Sequence, residues 1–214
     1  MQPQREQSQE SKFQNWHQVA LGISTTTHGM VDCLKDTLTH LHCSIKQGPC
    51  AGLEKCSDSC SKRTGSLSQW CPTCTEWRNQ IMRHHRYSLQ EDKIQWNKFD
   101  SSEWPERVNE MVKVYGPVWW MGKPLYTSDL AVAICILHNC CAFSIPPEVC
   151  QAVRGLRKGY FAQGRLQVNT LEKDMALKTL MQLLESPDVS KTRSGTKALN
   201  LTIHFTKIPN TTVR

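Results

Sequence analysis

Residues 50–74 read CAGLEKCSDSCSKRTGSLSQWCPTC, five cysteines set among Ser, Lys and Gly with little to bury. A segment of this composition cannot order itself by packing, so an added constraint has to do it. Cys71-Pro-Thr-Cys74 supplies half of one. Two thiols separated by two residues can turn onto a single ion while the loop amides face the sulfurs. A second pair is needed. Cys50 and Cys56 are the expected complement, with Cys60 as spare or substitute, and the span of about 14 residues between Cys56 and Cys71 is close to that of familiar four-ligand sites. The reading is one structural zinc ion on Cys50, Cys56, Cys71 and Cys74. A helix beginning at Thr75 places its positive end beside the thiolates. His84 and His85 lie about 15 Å along such a helix from Cys74, beyond reach of the same ion. A Cys-x-x-Cys pair can also run thiol–disulfide chemistry, but that use goes with a preceding strand and a βαβ setting, and neither is visible.

Outward from this segment the pattern is helical. Upstream, residues 12–48 form an N-terminal helical segment: from Phe13 and Trp16 the pattern is irregular to Gly29. It then settles into Met30, Leu34, Leu38, Leu41 and Ile45 on one face, and Gly48-Pro49 stops it. Residues 1–11 are rich in Gln, Ser and Glu and read as a disordered tail. Downstream, the zinc segment 49–86 closes with a short helix, Thr75 to Arg86. Residues 87–103 read as a connector in which Ile94, Trp96 and Phe99 allow one short strand.

Residues 104–186 predict a four-helix bundle. Trp104-Pro105-Glu106 opens a helix carrying Val108, Met111, Val112 and Tyr115. Ser128-Asp129 caps the apolar run Leu130 to Cys141, and Pro146-Pro147 precedes a helix from Glu148 to Phe161. The last, Thr170 to Glu185, carries Leu177, Leu180, Met181 and Leu184 in one stripe. Residues 187–214 read as mostly disordered, although Leu199, Leu201, Ile203 and Phe205 alternate as in a strand. The fold class expected is mainly α: an N-terminal helix, a small zinc-stapled segment, a helical bundle and disordered termini.

No run of about 18 apolar residues spans a membrane, and the polar N-terminus does not read as a secretory signal. The 11 cysteines then belong where thiols stay reduced, in the cytoplasm or nucleus. Cys33, Cys43, Cys135, Cys140, Cys141 and Cys150 fall within apolar helical patterns and read as small buried hydrophobes. His138, beside Cys135 and Cys141, reads as a core histidine, not half of a catalytic pair. The net charge of +7 is scattered, which permits nucleic-acid contact without demanding it.

The run Cys71-Pro-Thr-Cys-Thr-Glu-Trp-Arg-Asn-Gln-Ile-Met-Arg-His-His85, with Phe13-Gln-Asn-Trp16, the Cys50 and Cys56 pair, Trp96, Trp104-Pro105 and Asp129 through Glu185, resembles an uncharacterised vertebrate family whose human member is an open reading frame on the X chromosome. That resemblance implies architecture and no activity. Asp129 to Phe143, followed by Val153-Arg-Gly-Leu-Arg157 and a closing helix, resembles the helical HEPN superfamily in the branch of a DAZ-interacting zinc-finger ubiquitin ligase. Ribonucleases of that superfamily pair an Arg with a His a few residues on, for phosphate charge and proton transfer. Arg157 falls on the Arg position, Ala162 stands where the His belongs, and no His follows before His204. The resemblance therefore implies a bundle without catalysis; Arg154, Arg157 and Lys158 read first as a solvated helix end at the negative dipole terminus and second as a patch for phosphate or an acidic partner. The function expected is a zinc-containing intracellular scaffold or adaptor binding another protein or a second copy of itself, and not an enzyme. The alternative is an RNA-binding or RNA-cleaving HEPN relative, and the third reading a thiol redox protein.

Overall fold

The structure, a computed structural model, describes residues 2–120, 129–162 and 166–208, the side chains of 2–8, 118, 161 and 162 excepted. It is mainly helical and holds no strand among these residues. The helices are α1 (Gln2–Gly29), α2 (Val31–Gln47), α3 (Cys60–Arg63), α4 (Pro72–Arg83), α5 (Val108–Val112), α6 (Leu130–Asn139), α7 (Pro147–Arg157), α8 (Thr170–Leu184), α9 (Pro187–Ser190) and α10 (Arg193–Lys207). Helix α1 begins inside the stretch read as a disordered tail. Two compact units result. Among the described residues the first comprises 2–33, 129–134, 144–162 and 166–208, and the second 34–120 and 135–143.

The first unit is built on α1, α8 and α10, with α7 on α8. Helix α8 starts from a capping box: Asn169 Oδ1 accepts from Glu172 N–H, and Glu172 Oε2 accepts from Asn169 N–H, each at 2.9 Å. It then buries Leu177, Leu180, Leu183 and Leu184. Helix α1 shows little amphipathic patterning because it packs through small residues. A Cβ on Gly22 would stand 2.8 Å from Leu177 Cδ2, and one on Gly29 2.4 Å from Ala198 Cβ. Asn15 Nδ2 donates to Val168 O at 3.0 Å, tying the start of α8 to α1. The helices read as one bundle over 104–186 divide between the units, α5 in the second and α7 and α8 in the first.

Residues 187–214 correct the reading of a disordered tail. From Pro187 to Lys207 they form α9 and α10, while 209–214 lie outside the described residues. The buried side of α10 is Gly195, Ala198 and Thr202, spaced three and four apart. Thr192 Oγ1 accepts from Gly195 N–H at 3.0 Å and caps the helix. The strand-like alternation at Leu199 to Phe205 is overridden by small residues that bring α10 close to α1.

In the second unit the stripe Leu34, Leu38, Leu41 and Ile45 of α2 is buried, as its spacing dictates. Trp77 and Ile81 of α4, Trp104, Met111 and Tyr115 are buried in the same unit, as are Ile136, Leu137 and Cys140. Polar ties lock the pieces: Tyr115 Oη donates to Ile81 O at 3.0 Å, Asn139 Nδ2 to Tyr115 O at 2.9 Å, and an antiparallel bridge joins His85 and Cys140. Residues 87–103 form no strand. They run through 3-10 turns Ser88–Lys93, Trp96–Lys98 and Ser101–Glu103. The turns let Trp96 and Phe99 reach the same aromatic cluster, with ring centroids 6.0 Å apart and Trp96 5.7 Å from Trp70 and 6.1 Å from Trp104.

Candidate metal centre

Four cysteine sulfurs converge in the second unit. The Sγ atoms of Cys56, Cys60, Cys71 and Cys74 all lie within 4.8 Å of one another. Cys60 opens α3, Cys71 caps α4 and Cys74 lies in its first turn. The cap is itself sulfur chemistry: Cys71 Sγ accepts from Cys74 N–H at 3.4 Å, and Pro72 takes the first helical position, where an N–H would go unused. Cys71 N–H in turn donates to Cys60 Sγ at 3.3 Å. Cys56 comes from the non-helical stretch before α3, where its thiol donates to Asp58 O at 2.8 Å.

Polar groups around the quartet hold its supporting loops together. Ser61 Oγ donates to Phe99 O at 2.9 Å, and Ser101 Oγ accepts from Ser61 N–H at 3.1 Å, so α3 is fastened to residues 99–101. Thr73 Oγ1 donates to Glu54 O at 2.6 Å, which pins the strip carrying Cys56 to α4. Arg63 approaches Cys60 Sγ at 3.9 Å. Arg78 lies 5.6 Å from the centroid of Trp70 and pairs with Glu91 at 3.3 Å. Burial raises the Cys56 and Cys74 thiols above their usual range. Burial also acts to raise Cys71, but the Cys74 N–H and the neighbouring sulfurs outweigh it, and its thiol is lowered.

The donor set suits a metal. Tetrahedral Zn–S bonds of about 2.3 Å require sulfurs about 3.8 Å apart, and Cys56 and Cys60 stand at 3.8 Å. None of the four is in a disulfide. Three of the four residues expected from spacing, Cys56, Cys71 and Cys74, are in the group, and Cys60 takes the fourth place. Cys50 is not a member of the group. Its N–H closes α2 on Ile45 O at 3.0 Å, and its buried thiol is pushed up to about 11 by desolvation and then by Glu76. The signal that separates the two was the start of α3: Cys60 at the head of a helical turn is turned back toward α4, whereas Cys50 belongs to the end of α2.

The rings of His85 and His138 have other partners. His85 stacks on Tyr115 with centroids 5.7 Å apart, and its Nδ1 accepts from Tyr87 N–H. His84 O accepts from Cys141 N–H at 2.8 Å. His138 Nε2 meets Tyr87 Oη at 3.2 Å. In the first unit, Arg154 and Lys158 are exposed, while Arg157 lies 3.6 Å from Asp129. Asp129 Oδ1 also accepts from Ala131 N–H at 2.8 Å, capping α6. Ala162 ends a π turn, Lys158–Ala162, that continues α7, and its side chain lies outside the described residues.

No helix among the described residues is long and apolar enough to cross a membrane. No curated protein and no solved structure matches the chain. The family described as domain of unknown function (DUF4559) matches residues 8–211, and the chain belongs to it.

Proposed function

We propose that this member of the family is a zinc-stapled helical scaffold that binds another protein in the cytoplasm or nucleus and catalyses no reaction. The observation that carries the metal part is the convergence of four sulfurs within 4.8 Å of one another. Cys56, Cys60, Cys71 and Cys74 would hold the ion. Four thiolates fill a tetrahedral shell, whereas catalytic zinc keeps one position for water or substrate. A closed shell supports a structural role. A zinc ion bound there would supply cross-linking, through Cys56 in the loop before α3, Cys60 in α3 and Cys71 and Cys74 at the start of α4, a stretch with few buried apolar residues of its own.

The alternative, an RNA-directed HEPN relative, draws on Arg157. Asp129 beside that guanidinium meets part of its charge and would repel an incoming phosphate. The arrangement supports a helix-stabilising ion pair more than a phosphate site. The test is elemental analysis of protein purified without chelator, run beside RNA binding at low salt, where phosphate contacts are strongest. About one zinc per chain and no RNA affinity supports the proposal. Less than half an equivalent of any metal with all four thiols reduced overturns it.

A further inference from the structure

The quartet is not symmetric toward solvent. Cys60 and Cys74 are fully buried, whereas Cys56 and Cys71 are partly exposed and line one open cavity of about 440 Å³ with Lys55, Asp58, Arg63 and Pro72. A small oxidant or soft electrophile reaching the centre through this cavity meets those two sulfurs first. They differ in how they are held. Cys71 is fixed at the head of α4, accepts the Cys74 amide, and stands in a turn whose geometry the helix sets. Cys56 lies outside any helix, and its buried neighbour Cys60 is 3.8 Å away.

Resting on the metal reading above, we infer that Cys56 is an oxidation site: peroxide attacks its thiolate through the cavity, Cys60 resolves the product as a Cys56–Cys60 disulfide, and the metal is released. The chemistry balances. The Cys56 thiolate attacks one peroxide oxygen, the O–O bond breaks, hydroxide leaves, and Cys56 becomes a sulfenic acid. The Cys60 thiolate then attacks Cys56 Sγ, an S–S bond forms, and the S–O bond breaks with departure of a second hydroxide. Two electrons pass from the two sulfurs to peroxide, and two protons from solvent convert both hydroxides to water. Cys60 is buried beside Cys56, and the open cavity that Cys56 lines gives the leaving hydroxide a way out to solvent. Zinc loses two of four ligands, which Cys71 and Cys74 alone do not replace.

The experiment begins with protein shown by elemental analysis to carry its metal, so that an empty site counts against the metal reading and not against this one. Hydrogen peroxide is added while a chromogenic chelator records zinc release, and disulfides are mapped by mass spectrometry after trapping with iodoacetamide. Zinc release in step with a Cys56–Cys60 disulfide, reversed by dithiothreitol and zinc, is the expected result. In the untreated metal-loaded protein, brief exposure to iodoacetamide marks Cys56 at least tenfold faster than Cys60 or Cys74, a reading that needs no variant. A first disulfide between Cys71 and Cys74, equal labelling of all four, or oxidation elsewhere with zinc retained overturns the inference.

Discussion

Cys50 and Cys60 make opposite predictions from similar chemistry. Cys60→Ser is expected to drop zinc content from about one equivalent to below one half, while Cys50→Ser keeps it, as read by elemental analysis of the purified variants. A second residue-scale prediction concerns His42, buried against Trp77 with its Nε2–H donating to Trp104 O at 2.7 Å. Burial lowers its pKa below the usual 6.5, and nearby Lys46 adds to this, against the opposing pull of the Trp104 carbonyl and Glu106. The unfolded chain therefore takes up a proton near pH 6.5 that the folded one refuses until lower pH. The contribution to stability is whole above about pH 6.5 and is lost as pH falls through that value toward the folded pKa. The destabilisation caused by His42→Gln, measured by urea titration, should accordingly shrink between pH 7.5 and pH 5.5. Both proteins are compared after the metal has been removed by a chelator, so that loss of metal in acid does not enter the difference. Cys71 and Cys74 were legible in the sequence because two residues of spacing make a loop with one geometry. Cys60 was less so, because spacing alone does not say where a one-turn helix begins.

At the scale of elements, regular stripes of large side chains were readable and close contacts between small ones were not. The α2 stripe from Leu34 to Ile45 announces a buried face. Helix α10 buries Gly195, Ala198 and Thr202, which in a sequence are indistinguishable from linker residues. The approach of α10 to α9 gives a sharp test. A Cβ on Gly195 would lie 2.0 Å from Val189 O, a backbone atom that cannot swing aside. Gly195→Ala raises helix propensity by about 1 kcal/mol, yet the clash is expected to outweigh it, for a net loss of about 1–2 kcal/mol by thermal denaturation. At α8, Asn169→Ala removes one half of the capping box and is expected to cost about 1 kcal/mol in the same assay.

For the whole molecule, each unit has its own core, and the expected response to chelation is uneven. Hydrogen exchange after treatment with a strong zinc chelator should quicken in residues 50–74, where apolar burial is sparse, while the amides of α8 and α10 keep their protection. Equal acceleration across both units would contradict this. The division was hidden from the sequence because the first unit gathers α1 and α10 from far apart in the chain, and no local pattern in either names the other as its partner.

The sulfur of Cys71 serves as the cap of α4 as well as a member of the quartet. A helix start is the costly part of making a helix, and here it shares an atom with the sulfur quartet. A metal bound at the quartet would therefore favour the start of a helix that carries Trp77 and Ile81, and a chemical event at one surface-facing thiol would reach a packed element through that shared atom.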